Sequence, residues 1–184
     1  MRKALAALLA LAAGPALATG IEITVAGEGA NGVVVIDLFE DVAPGHAERI
    51  STLAGEGKYD GVAFHRVIDG FMAQTGDVQF ANVADYDGRR AGQGGSDYSD
   101  IDAEFSDKPF ARGTVGMARS QNVNSANSQF FIMFDQGDFL NGQYTVVGQV
   151  TSGMDVVDDI KRGHASSGAV TGAPDVMTSV KVID

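Results

Sequence analysis

The sequence predicts a mainly β domain, an antiparallel barrel closed on itself with two α-helices covering its ends. Three observations carry this prediction. Most of the chain consists of short β-type segments separated by turn residues, with 24 glycines but only 4 prolines. Only two stretches show helical periodicity, and they lie far apart in the sequence. The length of 184 residues suits a single domain preceded by a short leader.

Two strands are predicted at the start of the domain. Ile21–Val25 and Gly32–Phe39 are rich in β-branched and apolar residues, and Val34, Ile36 and Leu38 share one face of the second segment. The residues between them, 28–32, are dominated by glycine, alanine and asparagine, which indicates a turn.

Two helices are predicted, one near each end of the domain. Pro44 suits the first turn of a helix over residues 44–55, in which Gly55 or Gly57 provides the end. Its apolar residues recur at helical spacing: Ala47, Ile50, Leu53 and Ala54. A shorter helix is predicted from Met154 to Lys161, with its apolar residues on the inner side.

The rest of the chain is predicted to be mostly strand, with one long exception. The tight-turn pair Asn141-Gly142 precedes a β-rich segment that runs to Val150. Residues Asp77–Ser106 are rich in Gly, Asp, Asn and Ser, and we expect a long irregular excursion there. The remaining predicted strands are 62–68, 71–75, 113–118, 129–134, 143–150 and 177–183.

The first 18 residues have the pattern of a cleaved secretory signal peptide. Arg2 and Lys3 precede a short apolar run, and Ala16-Leu17-Ala18 is a small-x-small cleavage pattern. The apolar run is too short for a stable membrane anchor, so an uncleaved anchor is the less favoured interpretation. We therefore expect a mature domain over residues 19–184.

Charge and cysteine content exclude several classes of function. Loss of Arg2 and Lys3 from the 13 basic residues leaves 11 against 24 acidic residues, a net charge of −13. Such an acidic protein is not expected to bind nucleic acid or, once processed, an anionic membrane. The chain has no cysteine, which excludes disulfides, thiolate catalysis and cysteine-ligated metals.

Three segments concentrate residues suited to a ligand groove. They are FHRVIDGFMAQ from Phe64 to Gln74, GTVGMARSQNVNSANSQFFI from Gly113 to Ile132, and FLNGQY from Phe139 to Tyr144. These segments combine many apolar residues with a few polar ones. Such a combination is compatible with a ligand groove or with ordinary core packing. Arg66 taken alone is equally compatible with a solvated surface arginine.

These segments resemble the successive signature segments of the cyclophilins. FHRVIDGFMAQTGD, GTVGMARSQNVNSANSQFFI and FLNGQYTVVGQV follow in the family's order, and the match runs in register from about Ile21 to the C-terminus. The resemblance implies an eight-stranded antiparallel barrel with two capping helices. It also implies peptidyl-prolyl cis-trans isomerase activity, without a metal ion or other cofactor.

The resemblance assigns a role to each matching position. Arg66 is expected to be the catalytic residue. The backbone at Arg119 is expected to hold the substrate chain. The substrate-binding positions that the resemblance implies are Phe71, Met72, Gln74, Ala118, Arg119, Gln129, Phe131, Phe139, Leu140 and Tyr144.

Four positions depart from the commonest family pattern. Asp69 stands where many members have proline, and Arg119 replaces a frequent asparagine. Phe139 and Tyr144 replace tryptophan and histidine, which resembles the exported bacterial branch of the family. Loss of an indole N–H leads us to expect at most weak cyclosporin binding. We expect a periplasmic protein, with full secretion as the lesser alternative.

Other functions fit the sequence less well. The three histidines, His46, His65 and His164, accompany no nucleophile-elbow motif, so a serine hydrolase is not favoured. We expect His65 to point away from the groove. The acidic loop residues lack the spacing of a calcium-binding loop. We expect a monomer whose partners are proline-containing unfolded or partly folded polypeptides. The rival function that stays open is a binding module or holdase chaperone that uses the same groove without significant turnover.

Overall fold

The computed structural model describes residues 19–184, so the predicted signal peptide lies outside the described residues. Residues 19–184 form nine strands, two α-helices and one 3₁₀ turn at Asp138–Leu140. The helices are α1 (Pro44–Gly55) and α2 (Met154–Asp159). The strands are β1 (Gly20–Ala26), β2 (Gly32–Leu38), β3 (Val62–Ala63), β4 (Arg66–Ile68), β5 (Met72–Thr75), β6 (Thr114–Met117), β7 (Phe130–Met133), β8 (Val146–Ser152) and β9 (Val176–Ile183).

All nine strands belong to one antiparallel sheet that curls until its edges meet. The strand order is β3-β9-β1-β2-β8-β6-β7-β5-β4. Its two end strands, β3 and β4, are separated in the chain only by Phe64 and His65. The free edge of β4 is in turn covered by the segment before β9, since Val67 N donates to Gly168 O (2.7 Å) and Val170 N donates to His65 O (3.0 Å). The predicted fold class is confirmed.

The strand count is nine rather than eight because one predicted strand is interrupted. Residues 62–68 were expected to form a single strand, but β3 and β4 flank a break at Phe64 and His65. The two halves have different neighbours: β3 pairs with β9, and β4 pairs with β5. The chain therefore bends at the break, where the ladder passes from one set of partners to another.

The alternation of side chains along β4, β5 and β7 separates two apolar clusters. Val67, Ala73 and Ile132 point into the barrel and belong to its main core. Their neighbours in the sequence point outward, as period-two alternation requires. On that outer face lies a second, smaller buried cluster: Met72, Phe110, Phe131, Met133, Leu140 and Val146. The candidate site is built on this outer cluster.

The two helices follow the predicted bounds closely. The first matches the predicted range and packs against β9, β1 and β8. The second ends at Asp159 rather than Lys161, because Ile160 already has an extended backbone (φ −55°, ψ 129°). Among residues 19–184, no helix is long and apolar enough to cross a membrane.

The 77–106 excursion is irregular, as predicted, and a buried and a half-buried carboxylate organise it. Asp77 is buried and accepts four backbone N–H groups, from Gln79, Phe80, Gly92 and Gly94. At its other end, Glu104 accepts the N–H groups of Gly45 and His46 in the first turn of α1 (both 3.1 Å). Asp77 thus closes the first part of the excursion on itself, and Glu104 attaches the far end to α1, in both cases through charge-assisted hydrogen bonds.

Candidate active site

A row of residues across four adjacent strands forms the base of the candidate site. The register places Arg66 opposite Gln74, Gln74 opposite Phe131, and Phe131 opposite Gly116. All four lie on the outer face of the barrel. A Cβ at Gly116 would lie 2.5 Å from the Phe131 ring and 2.6 Å from the Phe110 ring. The glycine thus leaves room for the Phe131 ring to lie flat over the strand.

A chain of hydrogen bonds fixes the polar side of this row. Arg66 Nη1 donates to Gln74 Oε1 (3.1 Å), Gln74 Nε2 donates to Gln129 Oε1 (2.9 Å), and Gln129 Nε2 donates to Gly94 O (2.8 Å). Because a guanidinium can only donate, Gln74 must present its oxygen to Arg66. That choice determines the orientation of Gln129 in turn.

The Arg66 guanidinium is half-buried, and some of its N–H donors already make hydrogen bonds within the protein. Its Nε donates to Ser167 O (3.2 Å), and its Nη1 contacts Gln74 and, at 3.9 Å, Met72 Sδ. Its Nη2 donates no hydrogen bond to any of residues 19–184 and stays available to a ligand. Burial lowers the pKa of the guanidinium below its ordinary value, although arginine still remains protonated at neutral pH.

Beside Arg66 lies a pocket of about 280 Å³ with aromatic and aliphatic walls. Phe71 packs against Phe139 with ring centroids 5.4 Å apart, and Phe131 meets Tyr144 edge-on at 5.9 Å. Ten of the eleven residues predicted from the sequence line this pocket: Arg66, Phe71, Met72, Gln74, Ala118, Arg119, Phe131, Phe139, Leu140 and Tyr144. A pocket with such walls and with two guanidinium groups, those of Arg66 and Arg119, at its edge suits an uncharged, compact group.

Arg119 lies on the rim of this pocket with its backbone free. Its guanidinium lies over the Tyr144 ring, 4.3 Å from the centroid, and donates to Ser120 O and Gln143 O (both 2.9 Å). Neither its N–H nor its C=O is hydrogen-bonded to another residue in the described part of the chain. Its main chain is therefore free to pair with an extended peptide, and the substrate-holding role that the resemblance implies for Arg119 stays a prediction.

Gln129 is the one predicted residue that does not line the apolar pocket. It lies on the wall of a neighbouring, more polar pocket of about 510 Å³ formed largely by the 92–96 loop. Gln74, Ala118 and Arg119 belong to both pockets. Through its bond to Gln74, Gln129 supports the orientation of Arg66 from behind.

His65 lies away from the apolar pocket, beneath the glycine-rich loop. A Cβ at Gly92 would lie 3.2 Å from its ring, and neither ring nitrogen has a hydrogen-bond partner among residues 19–184. Burial lowers the pKa of His65 to about 4, and the Asp77 carboxylate opposes this shift only in part. The imidazole is therefore neutral at physiological pH.

Three residues around the site were not identified from the sequence. Gly116 contributes the space under Phe131, while Gly94 and Ser167 contribute only backbone carbonyl groups. Every residue has a backbone carbonyl group, so the sequence cannot indicate which residue will use its carbonyl group in the site. The glycine before Met117 in GTVGMAR was visible in the sequence, but its partner ring lies on another strand.

Comparison with known proteins agrees with this geometry. The family model described as "Cyclophilin type peptidyl-prolyl cis-trans isomerase/CLD" matches residues 21–182, which is nearly all of the described chain. The chain belongs to the cyclophilin family.

Relatives of this cyclophilin carry the same description. A "Probable peptidyl-prolyl cis-trans isomerase" of Brucella suis is 66% identical over 142 residues, covering 76% of this chain and 72% of the relative. "Peptidyl-prolyl cis-trans isomerase B" of Bacillus subtilis is 34% identical over 151 residues, covering 81% and 90%. A crystal structure of a cyclophilin from Hirschia baltica superposes with a TM-score of 0.70 at 25% identity, covering 88% of this chain and 72% of that one. This cyclophilin is accordingly an isomerase of the peptidyl-prolyl class.

The chemistry available in the pocket is binding and electrostatic stabilisation. The pocket lining contains no carboxylate, histidine, serine or threonine side chain. Of the two guanidinium groups in this lining, only that of Arg66 has a terminal nitrogen without a hydrogen bond, because Arg119 uses Nη1 and Nη2 on carbonyl groups. The Nε of Arg119 has no partner among residues 19–184 either, but it is buried. Such a site is suited to a reaction that redistributes charge without breaking a covalent bond.

Proposed function

We propose that this cyclophilin accelerates rotation about Xaa-Pro peptide bonds in exported proteins during their folding, with Arg66 stabilising the twisted transition state. The observation that supports this most directly is the Arg66 guanidinium, held at the edge of an apolar pocket with Nη2 free. A proline ring is compact and apolar, and its nitrogen would lie near the rim of such a pocket.

The proposed mechanism follows from the electronic structure of the amide. Resonance sets a rotation barrier of roughly 18–20 kcal/mol, and uncatalysed Xaa-Pro bonds isomerise in tens to hundreds of seconds. Halfway through the rotation the resonance is lost, and the prolyl nitrogen becomes pyramidal with a basic lone pair. A fixed cationic donor binds this form better than either planar form. Only such differential binding accelerates the reaction.

Arg66 accounts for part of the acceleration. A charge-assisted hydrogen bond contributes about 1.5–3 kcal/mol, which corresponds to about one to two powers of ten in rate at ~1.36 kcal/mol for each. The remainder has to come from orientation. The proline ring would lie on Phe131, Met72 and Leu140, and the free backbone groups of Arg119 would hold the preceding chain.

The experiment compares Arg66→Ala with a control arginine on Xaa-Pro tetrapeptides. We expect Arg66→Ala to lower kcat by about 10- to 100-fold, as loss of one charge-assisted bond requires, while peptide affinity changes little. Arg89→Ala is the matched control, because the Arg89 side chain makes no hydrogen bond to residues 19–184 and lies away from the pocket. Full activity in Arg66→Ala would show that the mechanism is wrong.

A holdase that binds proline-containing segments without useful turnover is the alternative. The same pocket would serve both functions, so only rate measurements separate them. The isomerase predicts faster refolding of a substrate protein limited by proline isomerisation, and a much weaker effect for Arg66→Ala at the same concentration. The holdase predicts reduced aggregation of that substrate with an unchanged refolding rate in both forms.

We also propose that the protein acts in the periplasm after removal of residues 1–18. Thr19 N lies 3.2 Å from Glu40 Oε1, so the ammonium group that cleavage would create at Thr19 would meet a carboxylate. N-terminal sequencing of the protein from a periplasmic extract should begin at Thr19. A protein that still begins at Met1, or one found only in the culture medium, would contradict this proposal.

We make two further proposals, one about the oligomeric state and one about cyclosporin binding. We propose a monomer, to be checked by light scattering. We also propose at most weak cyclosporin binding, because Phe139 offers no N–H donor. Competition between cyclosporin and an Xaa-Pro peptide measures this, with Phe139→Trp expected to bind the drug more tightly.

A further inference from the structure

The connection between α2 and β9 contains a compact loop, residues 163–169, which we call the return loop. It closes on itself through hydrogen bonds from His164 N to Ala169 O (2.9 Å) and from Gly168 N to His164 O (2.7 Å). Most of its residues are exposed, but Gly168 is buried. The loop is thus a small closed unit that faces the protein through Gly168.

The return loop pairs with the strand that carries Arg66. Val67 N donates to Gly168 O (2.7 Å), and Gly163 N donates to Val67 O (2.9 Å). Arg66 also forms a β-bridge with Ala169. Since β5 occupies the opposite edge of this strand, the backbone at Arg66 is held from both sides.

The same loop also reaches the Arg66 side chain. Ser167 O accepts a hydrogen bond from Arg66 Nε (3.2 Å), while Gln74 Oε1 accepts one from Nη1 (3.1 Å). These two partners come from different parts of the chain and bind different nitrogens of one planar group. Together they determine the orientation of the guanidinium and leave Nη2 for the ligand.

Only glycine allows the return loop to come this close. Gly168 has φ +75°, in the left-handed region. A Cβ there would lie 2.5 Å from Ile68 Cγ1 and 3.1 Å from Arg66 Cγ. Any larger residue at position 168 must therefore displace the Ile68 side chain and the Arg66 stem, or push the loop away from both.

We propose that the return loop is a positioning element for Arg66, acting through the Ser167 carbonyl and the close approach of Gly168. The inference rests on the proposed function, in which Arg66 stabilises the transition state. Ser167 and Gly168 would not touch the substrate. They would hold the donor that does, so that the guanidinium needs no reorganisation when the prolyl nitrogen becomes basic.

The test compares Gly168→Ala with Gly172→Ala. Gly172 is in the same connection and has φ +74°, but the nearest atom to a Cβ there is Lys161 Nζ at 3.5 Å. Both variants introduce the same backbone strain, and only the first disturbs Arg66. We expect kcat for an Xaa-Pro peptide to fall by about 10- to 100-fold in Gly168→Ala, with KM unchanged. Gly172→Ala should keep the wild-type kcat, and equal kcat values in the two variants would overturn the inference.

A second comparison separates this inference from the proposed function. In an Arg66→Ala background, Gly168→Ala should cause no further loss of kcat, because its effect passes through Arg66. An equal loss in both backgrounds would overturn the positioning role while leaving the function in place. Full activity of Arg66→Ala alone would overturn the proposed mechanism instead.

A measurement on the unmodified protein covers the case in which Gly168→Ala fails to fold. The Arg66 Nε–H should exchange with water more slowly than the Nε–H of Arg89, as observed in ¹H–¹⁵N spectra, because it donates to Ser167 O. Exchange as fast as that of Arg89 would contradict the hydrogen bond on which the inference depends.

Discussion

Phe139 and Leu140 are neighbours in the chain and in the pocket lining, but they meet solvent very differently. The Phe139 side chain is 71% exposed, whereas Leu140 is 6% exposed and belongs to the outer apolar cluster. A large apolar side chain left in water next to a pocket is more useful for binding than for stability. Leu140 has to serve both purposes.

Truncation of these two residues should therefore give different results. Phe139→Ala should raise KM for Xaa-Pro peptides and leave the free energy of unfolding nearly unchanged, since it removes little buried surface. Leu140→Ala should destabilise the fold by about 2–5 kcal/mol as well as weaken binding. Urea unfolding and peptide kinetics on both variants check this. A large loss of stability in Phe139→Ala would mean that its ring supports the fold.

The site residues illustrate what a sequence can and cannot indicate at this scale. Arg66, Met72 and Gln74 could be placed together because the segment that contains them resembles a cyclophilin signature, whereas alternation alone predicts only which residues of one strand share a face. The Ser167 carbonyl could not, because it lies about a hundred residues away and any residue type offers the same group. The hydrogen bond to Gly94 escaped prediction for the same reason.

At the scale of elements, the sequence predicted the bounds of an element well where residues within that element determine them. The first helix has its predicted limits because Pro44 and Gly55 mark them within the helix itself. The break after Ala63 was not predicted, because it arises from partners that are distant in the sequence, β9 on one side and β5 on the other. The attachment of the 77–106 excursion to α1 through Glu104 likewise depends on a contact between distant parts of the chain.

Glu104, in the 77–106 excursion, stabilises the start of α1, although α1 lies about 60 residues earlier in the chain. Its carboxylate accepts the N–H groups of Gly45 and His46, and His46 Nδ1 at 2.6 Å, at a helix start that has no side-chain cap of its own. Although partial burial raises the pKa of Glu104, these hydrogen bonds outweigh it and leave the pKa below the ordinary value. A cap supplied from a distant loop thus replaces the usual local one.

Replacement of this carboxylate should destabilise the protein. We expect Glu104→Gln to lower the free energy of unfolding by about 1–2 kcal/mol, because an amide NH₂ would face a donor of the helix. Asp102→Asn provides the matched control: Asp102 is an exposed carboxylate two residues away, and its side chain makes no hydrogen bond among residues 19–184. Equal stabilities of the two variants by urea unfolding would contradict the capping role.

For the molecule as a whole, the barrel wall separates the main core from the candidate site. The main core lies inside the barrel, and the site lies on the outer face of β4, β5, β7 and β6 above a second, smaller cluster. Side chains alternate along each of these strands, so that one side of the strand faces the main core and the other faces the outer cluster. The rigidity of the inner core is therefore transmitted to Arg66 and Phe131 through the backbone alone, without any side chain having to serve both regions.

The stability of the whole fold should depend on His65 in acid. Its pKa is about 4 in the folded protein because burial disfavours the charged form, against an ordinary value near 6.5. Between these values the unfolded chain binds a proton that the folded protein does not. Stability is therefore fully present above pH 6.5 and decreases as the pH falls toward 4, by about 3 kcal/mol in total.

The contribution of His65 to the pH dependence of stability can be measured by comparing the wild type with two histidine variants. His65→Leu removes the titrating group, so its free energy of unfolding should fall less than that of the wild type between pH 6.5 and pH 4. His164→Leu replaces an exposed histidine and should keep the wild-type slope. Carboxylates such as Glu104 also lose their stabilising effect in acid, but they contribute equally to all three proteins and cancel in the comparison. If His65→Leu and the wild type lose stability in parallel, His65 is protonated in the folded state over this range, and its burial does not have the effect argued here.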